Sequence, residues 1–184
     1  MDFFKTPIDG LLVLVPAVFK DNRGYFYETY NQKTAAEGGI TVRFVQDNES
    51  FSKYGTLRGL HFQKPPFSQA KLVRVLSGAV WDVAVDLREG SPTFGKWYGV
   101  ELSAENKKQF FIPRGFAHGF SVLTETATFA YKCDNFYNKA SEGAILYNDP
   151  ELNIDWRTDM RQAVLSDKDL QNPSFAAYKE KPCF

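Results

Sequence analysis

The sequence predicts an all-β chain, a sandwich or barrel with short peripheral helices. Many short apolar runs follow one another at close spacing, each ended by a turn signal. Helix-period patterning is scarce. Aromatic residues reach 16%, 17 of them Phe, which suits a β-rich core. Periodicity by itself leaves jelly roll, other sandwiches and up-and-down barrels open.

The elements read in order as follows. "LLVLV" (11–15) is a strand closed by Pro16, and "KDNRG" (20–24) is a turn leading into a strand "YFYETY" (25–30). "TAAEG" (34–38) reads as a short helical turn. "TVRFVQDN" (41–48) and "TLRGLHFQ" (56–63) read as strands flanking a polar loop, and "KPPFSQA" (64–70) breaks the chain. "KLVRVLS" (71–77) meets Gly78 and then "AVWDVAVDL" (79–87), as a hairpin or a tight bend. After the loop "REGSPTFGK" (88–96) come the strands "WYGVELS" (97–103), "KQFFIP" (108–113), "AHGFSVLT" (117–124) and "ATFAYKC" (127–133). "SDKDLQN" (166–172) reads as a short C-terminal helix. No repeat, low-complexity tract or linker divides residues 1–184, so one domain is expected.

Composition narrows the function. The net charge is +0 and the pI about 6.7, which argues against a partner bound by bulk charge, such as nucleic acid or an anionic membrane surface. No apolar run is long enough to span a bilayer, and "MDFFKTPIDG" does not read as a signal peptide. Cys133 and Cys183 make neither a disulfide framework nor a thiolate metal site, and free thiols fit a cytoplasmic chain. With only His61 and His118, and no H-x-H, a metal site would need a sparse two-His, one-carboxylate set.

His61 is a candidate general base, since imidazole titrates near neutral pH. A histidine satisfied within the core is the plain alternative. Arg58, Lys71 and Arg74 lie close by in sequence, a basic cluster suited either to an anionic ligand or to a solvated face. Strict alternation puts Leu57, Gly59 and His61 on one face and Arg58, Leu60 and Phe62 on the other. Arg58 and His61 can serve one pocket only if the strand bulges, and Gly59 is the natural place. "FFIPRGFAHGF" (110–120) puts Phe116, His118 and Phe120 on one face; "ATFAYKC" does the same for Ala127, Phe129 and Tyr131. An inward Tyr131 is either a core residue with a bonded hydroxyl or a proton donor facing a base.

Together, "DNRGYFYETY", "FVQDNESFSKYGTLRGLHFQ", "KLVRVLSGAVWDVAVDLREGSPTFGKW", "FFIPRGFAHGF", "YKCDNFYNKASEGAILYNDP" and "IDWR…LSDKD" resemble the dTDP-4-dehydrorhamnose 3,5-epimerases over nearly the whole chain. The resemblance implies a cupin-type jelly roll. It implies a homodimer, with an early strand exchanged between subunits, and neither metal nor cofactor. The implied reaction inverts carbons 3 and 5 of dTDP-4-keto-6-deoxyglucose, on the path to dTDP-L-rhamnose. By the same resemblance His61 is the base, Asp169 its carboxylate partner, Lys71 the holder of the enolate oxygen and Tyr131 the acid on the other face. Substrate-binding positions fall on Arg23, Glu28, Gln46, Asp47, Asn48, Arg58, Lys71, His118, Glu142 and Lys168, with Tyr137 stacking on thymine. Arg23, Arg58 and Lys168 suit the phosphates.

The departures are small. Phe62 stands where many members have Tyr, and Phe136 precedes Tyr137 where a Tyr pair is common. The stretch between Trp156 and Leu165 matches least. The rival readings are a relative that inverts one carbon, a sugar-nucleotide-binding cupin without catalysis, and a metal-dependent cupin.

Overall fold

The alternation read from the sequence becomes two antiparallel sheets packed face to face, in a computed structural model that describes residues 1–184. Strands β1 (Asp2–Lys5), β2 (Leu12–Val15), β3 (Phe19–Asp21) and β4 (Gly24–Phe26) lead to helix α1 (Gln32–Glu37). Then come β5 (Gln46–Lys53), β6 (Leu57–Gln63), β7 (Lys71–Ser77), β8 (Ala79–Asp86) and β9 (Trp97–Ser103). β10 (Gln109–Ile112), β11 (Phe116–Val122), β12 (Thr126–Cys133), β13 (Glu142–Ala144) and helix α2 (Phe175–Glu180) complete the chain. One sheet has the order β1-β2-β10-β7-β12-β5 and the other β13-β6-β11-β8-β9; β3 and β4 form a separate hairpin. This is the expected jelly-roll sandwich with short peripheral helices, and its sheets do not close into a barrel. The step from β7 to β8 is a bend between sheets rather than a hairpin, turned on Gly78 at φ +75. A side chain there would run into the Thr126 carbonyl.

Between the sheets, Val73, Val80, Phe110, Phe116, Phe120, Val122 and Phe129 form a buried apolar cluster, with Phe120 and Phe129 stacked at 4.3 Å. Each large side chain enclosed there is worth about 1.5–3 kcal/mol over its exposed state. The outer faces are covered as well. Leu60, Phe62, Trp81, Val83 and Val85 lie beneath Ile145, Leu152, Trp156 and Phe175 of the C-terminal segment. Leu14, Leu72 and Phe111 lie beneath Ala35 and Ile40 at α1. Strand β8 therefore has covered neighbours on both sides, which explains its nearly continuous apolar run.

Several boundaries differ from the sequence reading. The expected strand 41–48 is shifted to Gln46–Lys53, so the expected polar loop is mostly strand. Val42 and Phe44 do alternate inward, but onto the cluster beneath α1 rather than into a ladder. Of "YFYETY" only Tyr25 and Phe26 pair, as part of Gly24–Phe26 against Phe19–Asp21. Asp169–Gln171 is a single 3-10 turn, and the C-terminal helix begins at Phe175, capped by the Ser174 side chain.

The bulge sits where the alternation conflict put it. His118 of β11 faces His61 and Phe120 faces Arg58, so two steps on β11 span three on β6. Gly59 takes φ +138, and a Cβ added there would lie 2.6 Å from Gly119 Cα. Gly59→Ala should lower the free energy of unfolding by about 1–3 kcal/mol, from the left-handed backbone and the clash together. Urea denaturation measures it, and an unchanged midpoint would show that β6 can regularise.

Candidate active site

One cavity of about 900 Å3 opens between the sheets, where polar side chains replace the apolar core. That volume is at the upper end of the roughly 300–1,000 Å3 typical of ligand sites. β6 and β11 bring Arg58, His61 and His118 from one sheet. β5, β7 and β12 bring Gln46, Asn48, Lys71 and Tyr131 from the other. The chain after β12 adds Tyr137, Glu142, Lys168 and Asp169 at the mouth.

His61 Nε2 lies 2.5 Å from Asp169 Oδ1. The carboxylate is enclosed, with 5% of its side chain exposed, while 41% of the imidazole is open to the cavity. Ser166 Oγ donates to Asp169 Oδ2 at 2.9 Å and accepts from the Asp169 N–H at 3.2 Å, so the acid cannot swing away. Burial works to raise the Asp169 pKa, but the bonds from His61 and Ser166 outweigh it and hold the carboxyl below its ordinary range. With Nε2 engaged, Nδ1 is the ring nitrogen left to take a proton.

Lys71 and Tyr131 face this pair from the opposite sheet. Both sit on inward positions of their strands, beside Val73 and Phe129 of the core, and Lys71 Nζ lies 5.7 Å from the Tyr131 ring centre. Burial pushes the Tyr131 phenol up, with Arg58 pulling it partly back, so it carries its proton at neutral pH. Burial pushes the Lys71 ammonium down, opposed by the Cys133 sulfur and the Asp82 carboxyl. Burial likewise lowers the His118 pKa, offset by Asp82, both of whose carboxylate oxygens lie 3.0 Å from His118 Nε2. Asp82, which holds the His118 ring, is a buried acid beside the site that the sequence reading did not single out. Its only signal was one charge in the middle of the apolar run "AVWDVAV".

At the mouth, Glu142 accepts from the Tyr137 hydroxyl at 3.0 Å and from Lys168 Nζ at 2.5 Å. The Lys168 bond holds the Glu142 carboxyl below its ordinary range and raises Lys168 in turn. Gln46 accepts the Tyr137 N–H at 3.1 Å. Arg58 is held by Ser52 Oγ at 3.1 Å, with its guanidinium toward the opening.

Not every expected residue gathers here. Asp47 turns to the outer face of β5 and pairs with Lys132 at 2.9 Å, because only alternate residues of a strand share a side. Arg23 and Glu28 sit exposed in and after the β3–β4 hairpin, outside this chain's cavity. Arg74 also leaves the basic cluster; it faces away from Lys71 and approaches the Tyr27 hydroxyl at 3.4 Å. No group of three or more His, Cys, Asp or Glu side chains converges as a metal-ligand set.

Comparison with known proteins gives a consistent result. A profile of the dTDP-4-dehydrorhamnose 3,5-epimerase family matches residues 5–177. The chain is 53% identical over 176 residues to a dTDP-4-dehydrorhamnose 3,5-epimerase of Shigella flexneri, covering 95% of this chain and 96% of that one. The crystal structure of such an enzyme from Elizabethkingia anophelis superposes with TM-score 0.92 at 58% identity, covering 99% of this chain and 98% of the other. A Legionella pneumophila dTDP-6-deoxy-D-glucose-3,5-epimerase, solved with dTDP-4-keto-L-rhamnose, gives TM-score 0.90 at 53% identity over 94% and 92%.

Proposed function

The chain belongs to the dTDP-4-dehydrorhamnose 3,5-epimerase family, and we propose a mechanism in which its two sheets divide the labour of inversion. The protein is an isomerase that converts dTDP-4-dehydro-6-deoxy-D-glucose to dTDP-4-dehydro-L-rhamnose in dTDP-L-rhamnose synthesis. The observation that carries the mechanism is the placement of the His61–Asp169 pair across one cavity from Lys71 and Tyr131.

Carbons 3 and 5 flank the ketone at carbon 4, so their protons are removable once the enolate is stabilised. His61 takes the carbon-bound proton on Nδ1, and Asp169 stabilises the imidazolium that forms. The Lys71 ammonium holds the enolate oxygen. Tyr131, protonated at neutral pH, returns a proton to the opposite face. His61 then releases its proton to water and Tyr131 regains one, which resets the site for the other carbon. Arg58 and Lys168 take the diphosphate, Gln46, Asn48 and His118 take polar groups of the nucleotide sugar, and Tyr137 stacks on thymine. Lys168 must exchange Glu142 for a phosphate when substrate enters. No metal or cofactor has a part in these steps.

The decisive assay is proton NMR in deuterated water with chelator present and an NADPH-dependent reductase to trap product. Deuterium at carbons 3 and 5 is the expected result. Deuterium at carbon 3 alone would make the chain a single-carbon epimerase, and no exchange would leave a binding protein. His61→Asn should cut exchange by about 100- to 10,000-fold, the usual worth of a general base, with nucleotide binding kept. Retained exchange would remove His61 as the base. Tyr131→Phe should depress product formation by about 100-fold or more while leaving the first deprotonation within about tenfold. Equal loss of both would make Tyr131 structural.

A homodimer completes this reading. The β3–β4 hairpin belongs to neither main sheet and exposes Phe19 (65%), Tyr25 (58%) and Phe26 (70%), more apolar surface than a free hairpin keeps. Strand β5 ends its sheet with an open edge beside the cavity. Seated on that edge of a second copy, the segment would bring Arg23 and Glu28 to the partner's site. Free Cys133 and Cys183 accord with a cytoplasmic setting. Arg23→Ala and His61→Asn proteins, each impaired alone, should regain activity when refolded together. Random pairing restores about a quarter of the sites in symmetric dimers. Monomers in light scattering, or no regain, would refute the exchange.

A further inference from the structure

Asp169 is the one buried residue of an exposed turn. It is 3% exposed, while Ser166, Asp167, Lys168, Leu170 and Gln171 all face solvent. Its immediate neighbours therefore offer no packing to aim the carboxylate, and hydrogen bonds do the aiming. A carboxylate bonded through one oxygen still turns about its Cβ–Cγ bond, a torsion with a broad preference. The pairing of Asp169 Oδ1 with His61 Nε2 at 2.5 Å leaves that freedom. Asn172 Nδ2, at 3.5 Å, approaches the same oxygen and adds nothing at the other.

The other oxygen belongs to Ser166, whose Oγ donates to Asp169 Oδ2 at 2.9 Å. The same Oγ accepts the Asp169 backbone N–H at 3.2 Å, which leaves its own proton to the carboxylate. Ser-x-x-Asp, here "SDKD", has the spacing of a capping box, in which the acid reaches back to the serine N–H. Here the acid takes the serine hydroxyl instead and turns its other oxygen to His61. With both oxygens accepting, the group is a carboxylate, and the proton shared with His61 resides on Nε2. We propose that Ser166 is a positioning residue: its hydroxyl locks the Asp169 carboxylate in the orientation that receives the His61 Nε2–H, which leaves Nδ1 as the proton acceptor. Ser166 lies in the cavity wall, but its one hydroxyl proton is engaged by Asp169, so it acts through the pair and not on substrate.

The inference rests on the proposed base role of His61 only for its activity readout. Ser166→Ala removes the hydroxyl and keeps the turn, because the backbone carbonyl of residue 166 still accepts the Asp169 and Leu170 N–H groups, at 3.0 and 3.3 Å. kcat should fall about 10- to 100-fold, the scale of a reacting group misplaced by about 1 Å. KM and the affinity for dTDP should stay within about threefold, because the groups proposed to bind diphosphate and thymine are untouched. Ser166→Thr returns the hydroxyl and should recover kcat to within a few-fold. An unchanged kcat in Ser166→Ala would overturn the proposal. Loss of kcat and dTDP affinity together, with no recovery in Ser166→Thr, would overturn it too and leave Ser166 a turn residue.

A second measurement needs no substrate. Long-range proton–nitrogen correlation spectra of the free protein report which ring nitrogen carries the proton, in alkaline buffer where an imidazole is neutral. The His61 ring, assigned by its absence from His61→Asn, should carry it on Nε2 in the unaltered protein and in Ser166→Thr. In Ser166→Ala the nitrogen shifts should move toward the average of the two tautomers. Unmoved shifts there would overturn the inference even if kcat falls. Averaged shifts in Ser166→Ala, with an unaltered protein that fails the deuterium-exchange assay, would leave the inference standing and unseat the epimerase mechanism.

Discussion

The 2.5 Å pairing of His61 with Asp169 joins residues 108 positions apart, and much of the architecture serves to make it. A turn at the end of a long irregular segment cannot hold a carboxylate in register unless the segment is fixed. Here the outer face of the five-stranded sheet does the fixing. Trp81 and Trp97 donate their indole N–H groups to the carbonyls of Asp155 and Leu152, each at 3.0 Å. Ser121 donates to the Trp156 carbonyl at 2.6 Å. Val164 then exchanges backbone bonds with Gly55 and Leu57, just before the site residues of β6. Apolar cover and the carboxylate that pairs with His61 are therefore one segment. A loss of packing at Trp156 would reach His61 through Asp169, with no group in the cavity altered.

The sandwich divides its interior between two requirements that conflict. Close packing of aromatic and branched side chains stabilises it, while chemistry needs charge and water. The chain separates the two along its strands. On β12, Ala127 and Phe129 lie in the core and Tyr131 faces the cavity; on β7, Val73 and Val75 do the first and Lys71 the second. The same inward face thus runs from core to site. That continuity holds the cavity side chains Lys71 and Tyr131 rigidly, since their neighbours on the strand are locked by packing.

This division decides what the sequence reveals. Strands whose inward face is apolar were legible, among them β2, β7, β9 and β10. Strand β5 was misplaced because its inward face is Asn48, Ser50 and Ser52, which line the cavity and give no hydrophobic period. The run 41–45 did alternate, but alternation reports a buried face, not a ladder. β1 and β13, of four and three residues, are too short to show a period. The bulge at Gly59 was legible because two candidate site residues disagreed with the pleat. Asp82 was not, because a lone acid in an apolar strand gives no hint of which residue faces it. The site residues themselves came from resemblance, which put Arg23 and Glu28 on a strand exchanged with a partner but could not say that Asp47 turns away from the cavity to Lys132.

Inversion at carbon requires that one proton leave and another arrive from the opposite side, and a two-sheet sandwich supplies that asymmetry without moving parts. A base and an acid on neighbouring strands of one sheet would both approach a flat enolate from the same side. Set on facing sheets, His61 and Tyr131 address opposite faces of whatever lies between them. The ketone oxygen then needs a single fixed partner, and Lys71 projects from the same sheet as Tyr131. Turning the sugar between two deprotonations would bring carbon 3 and then carbon 5 before the same three groups. Double inversion therefore asks for room around the sugar more than for a second catalytic set, and the cavity of about 900 Å3 provides it.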